Sequence, residues 1–414
     1  MKKISVLSPD SVPFILSENC PSVLTIDNKT FFTKDKYSRA TSFGIRAWNI
    51  AKKLSTDDSL SVTLFVPENA CPKLEWINLE NIKFTIQPYH TTAATFNWSE
   101  ELDKKLKNQD FVIIQSSYGV GYINCSVLPN SINVILDGYI PVLAEYPAFL
   151  IGNSSISRKV SWNKFIEQYV SLLKRANCIL YANDNQLHYY EGQLFAIGKL
   201  DWGAYQFSPL LKVSYGIGDK NVGVKKREST KLKLIWFGCT YPWYYPEKLL
   251  EEINNLKNIE IDFVSLMHPR YSKSYRNYFK KFFDSCDNSN VTVHEEYTDN
   301  INELFNDYDA GIVLSRDWLE ENYSVRGRAL DMLSHKLPVI MNVGNPLFHE
   351  MKYLTDSIYP VSLNNIVNDL NKYSAQKDLL EVSDNSFEII KNKFNWDTVL
   401  NPLLDYIKTF GANK

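Results

Sequence analysis

Short apolar runs alternate with amphipathic stretches along most of the chain, and this alternation is the feature that most restricts its fold. Strand-like runs such as ISVLS, FVIIQS and INVILD occur in the first half, and LKLIWFG, AGIVLS and PVIMNV occur in the second. Between them lie segments such as 45–54, where apolar residues recur at helical spacing. Strands that alternate with helices form parallel sheets with right-handed crossovers. The sequence therefore predicts an α/β protein.

The alternation stops once, near the middle of the chain, in the segment PLLKVSYGIGDKNVGVKKREST. Its glycines and mixed charges are typical of a linker. With 414 residues, of which 44% are hydrophobic, the chain is long enough for two cores. We expect a first domain, a linker, a second domain and a closing C-terminal helix at residues 1–215, 216–230, 231–394 and 395–414. In open parallel sheets, ligands bind beyond the carboxyl ends of the strands, so the loops there are the first candidates for a site.

Composition argues against several classes of protein. A net charge of −2 and a pI near 6.3 give no basic field for nucleic acid. The six cysteines show neither C-x-x-C spacing nor a histidine at zinc spacing, which is typical of reduced, buried residues. The chain lacks an apolar run of about 18 residues, and MKKISVLSPDSV at its start predicts a strand rather than a signal peptide. We therefore expect a cytoplasmic protein that does not span a membrane.

The segment 317–339, DWLEENYSVRGRALDMLSHKLPV, carries the strongest chemical signal. Ser324 is a good N-cap for a helix, yet Arg326 and Arg328 would follow in its first turn, where cations oppose the helix dipole. A bound diphosphate would remove this conflict, because the first-turn amides, the dipole and the guanidinium groups all favour an anion. Ser324, Arg328 and Asp331 share one helical face, and Arg326 points away from it. The alternative is an Arg328–Asp331 salt bridge on a solvated helix.

Weaker signals occur at three other places. In TSFGIRAW, Gly44 allows a close approach of backbone to ligand at a helix start, and Arg46 follows it. Asp137 ends the strand INVILD, where it is placed to bind a sugar hydroxyl, to accept a proton or to serve only as a turn residue. Gly238 and Trp243 belong to WFGCTYPWYYPEKLL, an aromatic-rich loop after the first strand of the second domain. Aromatic faces stack on bases and on sugar rings.

The segment around Glu320 resembles the donor-site motif of family 4 glycosyltransferases, and more closely the form E-x3-S-x-R-x-R-x2-LD of a bacterial subgroup. The matching residues here are Glu320, Ser324, Arg326, Arg328, Leu330 and Asp331. FGIRAWNIA, ILDGYIPVLAE and WFGCTYPWYYP resemble segments of the same subgroup in the same order. Two departures stand out. Asp331 replaces the usual second Glu, and the R-x4-K pattern that typical family members place in this domain does not follow Gly238.

The resemblance implies a GT-B fold, in which two Rossmann-like domains with parallel sheets face a central cleft. It also implies a glycosyltransferase that moves a sugar, with retention, from a nucleotide-sugar donor in the second domain to a glycan or glycolipid acceptor in the first. Bacterial surface polysaccharide, such as capsule or lipopolysaccharide, is the implied context. Peripheral association with the inner face of the cytoplasmic membrane remains open. We expect no metal and no other cofactor, because the only D-x-D, at 307–309, does not stand at the matching motif position.

Under this interpretation Arg328 and Arg326, with the amides near Ser324, neutralise the departing diphosphate. Asp331 holds the ribose, and Glu320 contacts the donor sugar. The remaining predicted site residues are Gly44, Arg46, Asp137, Gly238 and Trp243. Two alternatives stay open. One is an inverting transferase or a nucleotide-sugar epimerase of the same fold, with Asp137 as the base of the inverting reaction. The other is a non-catalytic partner subunit of a transferase, which the missing R-x4-K pattern favours.

Overall fold

The computed structural model describes residues 1–20, 23–26, 29–32, 40–90, 100–116, 128–145, 156–200, 210–218, 230–238, 244, 247–264, 290–294 and 304–410. The chain divides into two compact units. The first unit comprises Met1–Gly216 and Trp396–Lys414, and the second comprises Ile217–Asn395. The first segment of this unit ends at Gly216, one residue past the position 215 predicted for the domain boundary. Most of the predicted linker, 219–229, lies outside the described residues.

The first unit is built on a seven-stranded parallel sheet with a separate two-stranded hairpin. In chain order its strands are β1 (Lys2–Leu7), β2 (Val23–Ile26), β3 (Lys29–Phe32), β4 (Leu60–Pro67), β5 (Thr85–Tyr89), β6 (Phe111–Gln115), β7 (Asn133–Asp137), β8 (Cys178–Tyr181) and β9 (Leu210–Lys212). Its helices before the crossing to the second unit are α1 (Ser42–Leu54), α2 (Glu100–Leu106), α3 (Ile156–Arg175) and α4 (Asp184–Ala196). The sheet order is β5-β4-β1-β6-β7-β8-β9, while β2 and β3 pair antiparallel. One hydrophobic core joins α2, α3 and α4 to β6 and β7.

The second unit repeats this plan with six parallel strands. These are β10 (Leu232–Phe237), β11 (Ile259–Val264), β12 (Val291–His294), β13 (Ala310–Val313), β14 (Val339–Asn342) and β15 (Ile358–Val361). The helices are α5 (Glu247–Glu251), α6 (Gly327–Ser334), α7 (Pro346–Met351), α8 (Ile366–Ala375) and α9 (Asp384–Phe394). The sheet order is β12-β11-β10-β13-β14-β15.

Both sheets have the strand order of a doubly wound fold, so the predicted α/β class with two parallel sheets is confirmed. Strands such as β6 and β13 are buried along their whole length, as parallel strands with covered faces must be. In each sheet the order reverses beside the first strand, between β1 and β6 and between β10 and β13. These are the two positions where a doubly wound sheet binds ligands, beyond the carboxyl ends of the strands.

The C-terminal segment consists of two short helices, α10 (Trp396–Val399) and α11 (Asn401–Thr409), which belong to the first unit. The ammonium group of Lys2 donates to the carbonyl oxygens of Ile407 at 2.7 Å, Lys408 at 3.0 Å and Phe410 at 2.9 Å. A cation is favourable at a helix C-terminus, where carbonyls lack intrahelical partners. The first strand therefore anchors the last helix. Among the described residues, no helix has the length and apolar content needed to cross a membrane.

Gly44 lies where α1 meets the loop after β1. Thr41 caps the helix, its hydroxyl oxygen accepting from the Gly44 amide at 3.3 Å. A Cβ atom at position 44 would overlap with the backbone carbonyl of Ser11. The close approach that Gly44 permits is made by the chain's own backbone, which by itself accounts for a glycine at this position.

We expect Gly44→Ala to destabilise the first unit by about 1–3 kcal/mol, because neither the Ser11 backbone nor the first turn of α1 can move without disturbing the sheet. Gly192→Ala, within α4, is the matched control because a Cβ there meets no atom within 4 Å. The control should gain about 0.5–1 kcal/mol from helix propensity. Urea denaturation of both variants measures the difference. Equal stability of the two variants would contradict the packing described for Gly44.

Candidate functional site

Arg326 is the centre of a buried ionic cluster in the loop between β13 and α6. Its Nη1 donates to Glu320 Oε1 at 2.7 Å and its Nη2 to Glu320 Oε2 at 2.9 Å, which is a bidentate pair. Nη2 also donates to the carboxylate of Glu321. Arg326, Glu320 and Glu321 are 0%, 1% and 3% exposed. Two carboxylates therefore surround one guanidinium out of contact with water.

The local chain path follows from the spacing of the residues in the motif. After β13, a 3-10 turn at Leu319–Asn322 directs the amides of Tyr323 and Ser324 onto the Glu320 carbonyl, both at 3.0 Å. The Ser324 hydroxyl donates to Glu320 Oε1. The Glu, Ser and first Arg of the E-x3-S-x-R pattern are therefore bound to one another.

The end of β14 holds the other side of this loop. Asn342 donates from Nδ2 to Glu321 Oε1 at 2.7 Å, and its Oδ1 accepts from the Ser315 amide at 3.1 Å. Asn345, which caps α7, donates to the carbonyls of Glu321 and Ser324 at 3.3 and 3.4 Å. Burial raises the pKa of the Glu321 carboxyl above its usual value, and the adjacent Arg326 opposes this shift.

Tyr244 connects the cluster to a second guanidinium, that of Arg328. The Tyr244 hydroxyl accepts from Arg326 Nη1 at 2.8 Å, and the guanidinium carbon of Arg326 lies 4.4 Å from the ring centroid. The guanidinium carbon of Arg328 lies 4.1 Å from the same centroid. Arg328 also lies against Gly238, directly after β10, where an added Cβ would be 3.5 Å from its Cζ. Gly238 has a φ of +95°, a backbone conformation that residues with a side chain rarely adopt.

Helix α6 begins at Gly327 rather than at Ser324. Arg326 occupies the N-cap position, but its side chain makes no capping hydrogen bond. The first backbone hydrogen bond of the helix runs from the Ala329 amide to the Arg326 carbonyl oxygen, at 2.9 Å. The prediction that Ser324 is the N-cap is wrong, because the Ser324 hydroxyl donates to the Glu320 carboxylate instead. The amides of Gly327 and Arg328 precede this first intrahelical bond, as the opening amides of a helix do.

The structure separates the predicted donor-site residues into two groups. Glu320, Ser324 and Arg326 are buried and bind one another, so the direct contacts with a donor predicted for them do not fit this arrangement. Arg328 and Asp331 are half-buried and lie on α6. Trp243 lies outside the described residues.

Arg46 and Asp137 form a buried pair at the carboxyl edge of the first sheet. Arg46 Nε lies 2.9 and 2.8 Å from the two carboxylate oxygens of Asp137, and both side chains are fully buried. The remaining Arg46 nitrogens donate to the carbonyls of Ser214 at 2.8 Å and Val213 at 3.0 Å. Gln115 adds a 3.2 Å bond to Asp137 Oδ2. This arrangement does not fit Arg46 as a ligand contact or Asp137 as a base that faces a substrate. The two residues instead link β7 to α1 and to the segment after β9.

A cavity of about 440 Å³ opens beside the cluster, at the carboxyl ends of β13, β14 and β15. Its lining includes Lys248, Arg316, Trp318, Glu321, Asn342 and Ser362. The volume lies within the range of small-molecule sites, about 300–1,000 Å³. Glu321 and Asn342 both line the cavity and belong to the cluster, so the cavity wall and the buried ions are one structure. Among the described residues, no group of three His, Cys, Asp or Glu side chains is placed to hold a metal ion.

Sequence reasoning missed Glu321, Asn342 and Tyr244. Glu321 follows a motif glutamate directly, but adjacent carboxylates are common on exposed surfaces, so the sequence does not show that this one is buried. Tyr244 was one of several aromatic residues in its loop. Neither spacing nor periodicity distinguishes the one that contacts both arginines.

No protein-family model and no curated protein sequence matches the chain. Several solved structures match it over essentially their whole length. Sucrose-phosphate synthase from Thermosynechococcus elongatus matches with a TM-score of 0.66 at 11% identity, covering 100% of both chains. Anabaena HepE in complex with UDP and glucose matches at 0.63 and 12%, covering 99% of this chain and 100% of that one. The lipopolysaccharide outer core galactosyltransferase WaaB matches at 0.54 and 11%, with the same coverage. The predicted GT-B fold is therefore confirmed.

We expect Glu321→Gln to change how stability depends on pH. A carboxyl whose pKa is raised by folding binds more protons when folded, so stability is lost as pH rises from the usual glutamate pKa, about 4.3, through the raised value. The stability of the variant relative to wild type should therefore rise progressively as pH rises through that window. Denaturant titrations between pH 4 and 8 measure this. Glu388→Gln, at an exposed position of α9, is the control. If the difference in unfolding free energy between Glu321→Gln and wild type does not change with pH, the burial of this charge is contradicted.

Proposed function

We propose that the protein is a glycosyltransferase that binds a nucleotide-sugar donor at the carboxyl edge of its second sheet. The observation that carries this proposal is the position of Arg328. Its guanidinium lies beside Gly238, at the end of β10, and at the first turn of α6. This is the place where the strand order reverses, between β10 and β13. The GT-B fold supports the activity, since its structural neighbours include HepE bound to UDP and glucose and the galactosyltransferase WaaB.

The chemistry required at this place is the stabilisation of a departing nucleoside diphosphate. Negative charge grows on the oxygen that leaves the sugar, and preorganised donors aimed at that charge lower the barrier. The first-turn amides of α6 and the Arg328 guanidinium provide such donors without the cost of reorganisation. Gly238 favours the approach of a phosphate because it has no side chain between the β10 edge and Arg328.

In this proposal the part of the donor beyond the diphosphate reaches the cavity on the Glu321 side of the cluster. Its lining includes the indole of Trp318, which can stack on a sugar or base, and the hydroxyl of Ser362, which can form hydrogen bonds. Asp331, one turn along α6 from Arg328, holds the ribose hydroxyls in this proposal. Glu320 acts indirectly, by fixing the loop that carries Arg328.

The finer assignments rest on the sequence resemblance. In these assignments the sugar is transferred with retention to a glycan or glycolipid acceptor that the first unit holds. The reaction belongs to the synthesis of bacterial surface polysaccharide at the cytoplasmic face of the membrane. The pairing of Asp137 with Arg46 supports retention, since an inverting reaction needs a base that faces the acceptor and Asp137 is bound elsewhere. A thermal-shift screen with UDP, GDP, ADP, CDP and dTDP tests donor binding. If none of the five raises the melting temperature, the proposed function is wrong.

With the preferred nucleotide sugar, Arg328→Ala should lower kcat for donor hydrolysis or transfer by roughly 100-fold, as loss of one oxyanion donor does. Arg328→Lys should recover part of the rate, because lysine keeps the charge but not the bidentate fork. Steady-state kinetics on folded variants measure both. The matched control is Lys352→Ala, which removes an exposed cation 4.6 Å from the ring of Tyr353. Near-normal turnover by Arg328→Ala would restrict this arginine to a structural role.

Activity should survive treatment with EDTA, because the positive charge in this proposal comes from a side chain and a helix terminus rather than from a metal ion. Initial rates before and after chelation, followed by addition of Mg²⁺ or Mn²⁺, measure this. If EDTA abolishes activity and either ion restores it, a metal ion rather than Arg328 neutralises the diphosphate.

A further inference from the structure

We infer that Tyr244 is the residue that positions Arg328: its aromatic ring contacts the Arg328 guanidinium, and its hydroxyl holds the ring in place. The inference rests on the proposed function in one respect: Arg328 matters to a ligand only if a nucleoside diphosphate binds there. The placement of the Arg328 side chain by Tyr244 is a property of the protein alone.

The ring of Tyr244 is itself fixed from the interior. Its hydroxyl accepts from Arg326 Nη1 at 2.8 Å, and the residue is 8% exposed. Arg326 is in turn held by both oxygens of Glu320 and by Glu321. The aromatic face presented to Arg328 is therefore anchored through a chain of charged hydrogen bonds that ends in the buried cluster.

Arg328 lies within the range of a cation–π contact on this ring. The distance from its guanidinium carbon to the centroid is 4.1 Å, well inside the limit of about 6 Å. The contact and the adjacent backbone of Gly238 both restrict the guanidinium to the edge of β10. An arginine held in this way has already lost side-chain freedom before a ligand arrives, so less is lost on binding.

Two guanidinium groups contact the same ring. They would repel each other if neither positive charge were balanced by a carboxylate. Arg326 is neutralised by the bidentate carboxylate of Glu320, and a second carboxylate, Glu321, is hydrogen-bonded to it. Arg326 together with these carboxylates therefore adds no net positive charge beside the ring. The buried cluster thus allows Arg328 to keep its place on Tyr244 while its charge remains directed to a diphosphate.

The test compares Tyr244→Phe, which keeps the ring, with Tyr244→Leu, which removes it. Binding of the diphosphate selected by the thermal-shift screen is measured by calorimetry. Tyr244→Leu should weaken binding about 10-fold and Tyr244→Phe no more than about 3-fold, since the ring supplies the cation–π contact. In the Arg328→Ala background, Tyr244→Leu should have no further effect, because the residue it positions is gone. Tyr353→Leu, at an exposed cation–π pair, is the control.

A second readout needs no ligand and separates the two claims. Phenylglyoxal modifies accessible arginines, and peptide mass spectrometry gives the rate at Arg328 relative to Arg316, a half-buried arginine of the same unit. Tyr244→Leu should raise the Arg328 rate at least about 3-fold, and Tyr244→Phe, which keeps the ring but loses its hydroxyl anchor, should raise it less. If Tyr244→Leu does not fold, Tyr244→Met takes its place. Unchanged modification in the ringless variant overturns the inference. Altered modification without nucleotide binding in the wild type keeps the inference and overturns the proposed function.

Discussion

The bidentate pair between Arg326 and Glu320 is the interaction on which the carboxyl edge of the second sheet depends. Both groups are buried, so removing Arg326 would leave the Glu320 and Glu321 carboxylates without their cation in a medium of low polarity, at a cost of about 3–5 kcal/mol. The pair also determines the local chain path. It binds the Ser324 hydroxyl, delays the start of α6 to Gly327 and, through Tyr244, reaches Arg328.

The first unit contains a comparable pair at the corresponding edge of its sheet, but with a different result. Arg46 binds Asp137 with one nitrogen and two backbone carbonyls with the others, so its hydrogen-bonding groups face the interior. In the second unit the buried arginine is accompanied by Arg328, two residues later, which is half-buried at a helix terminus. This difference is the physical basis of the proposal that an anionic nucleotide binds to the second unit.

Periodicity and topology could be predicted from the sequence because they depend on local patterns. Runs such as FVIIQ and AGIV are buried strands, and the GT-B fold implied by the motifs is confirmed. The roles of individual charged residues could not be predicted in the same way. Ser324 reads as an N-cap and Arg326 as a phosphate ligand until their partner, Glu320, is known to lie beside them. A motif records which residues occur together, whereas burial decides whether they bind one another or a ligand.

The most direct measurement is a crystal structure of the protein with the nucleoside diphosphate that stabilises it most. We predict phosphate oxygens at hydrogen-bonding distance from the Arg328 guanidinium and from the amides of Gly327 and Arg328, with the Arg326–Glu320 pair intact and not in contact with the ligand. A diphosphate bound by Arg326 after that pair has opened, or bound away from α6, would contradict it.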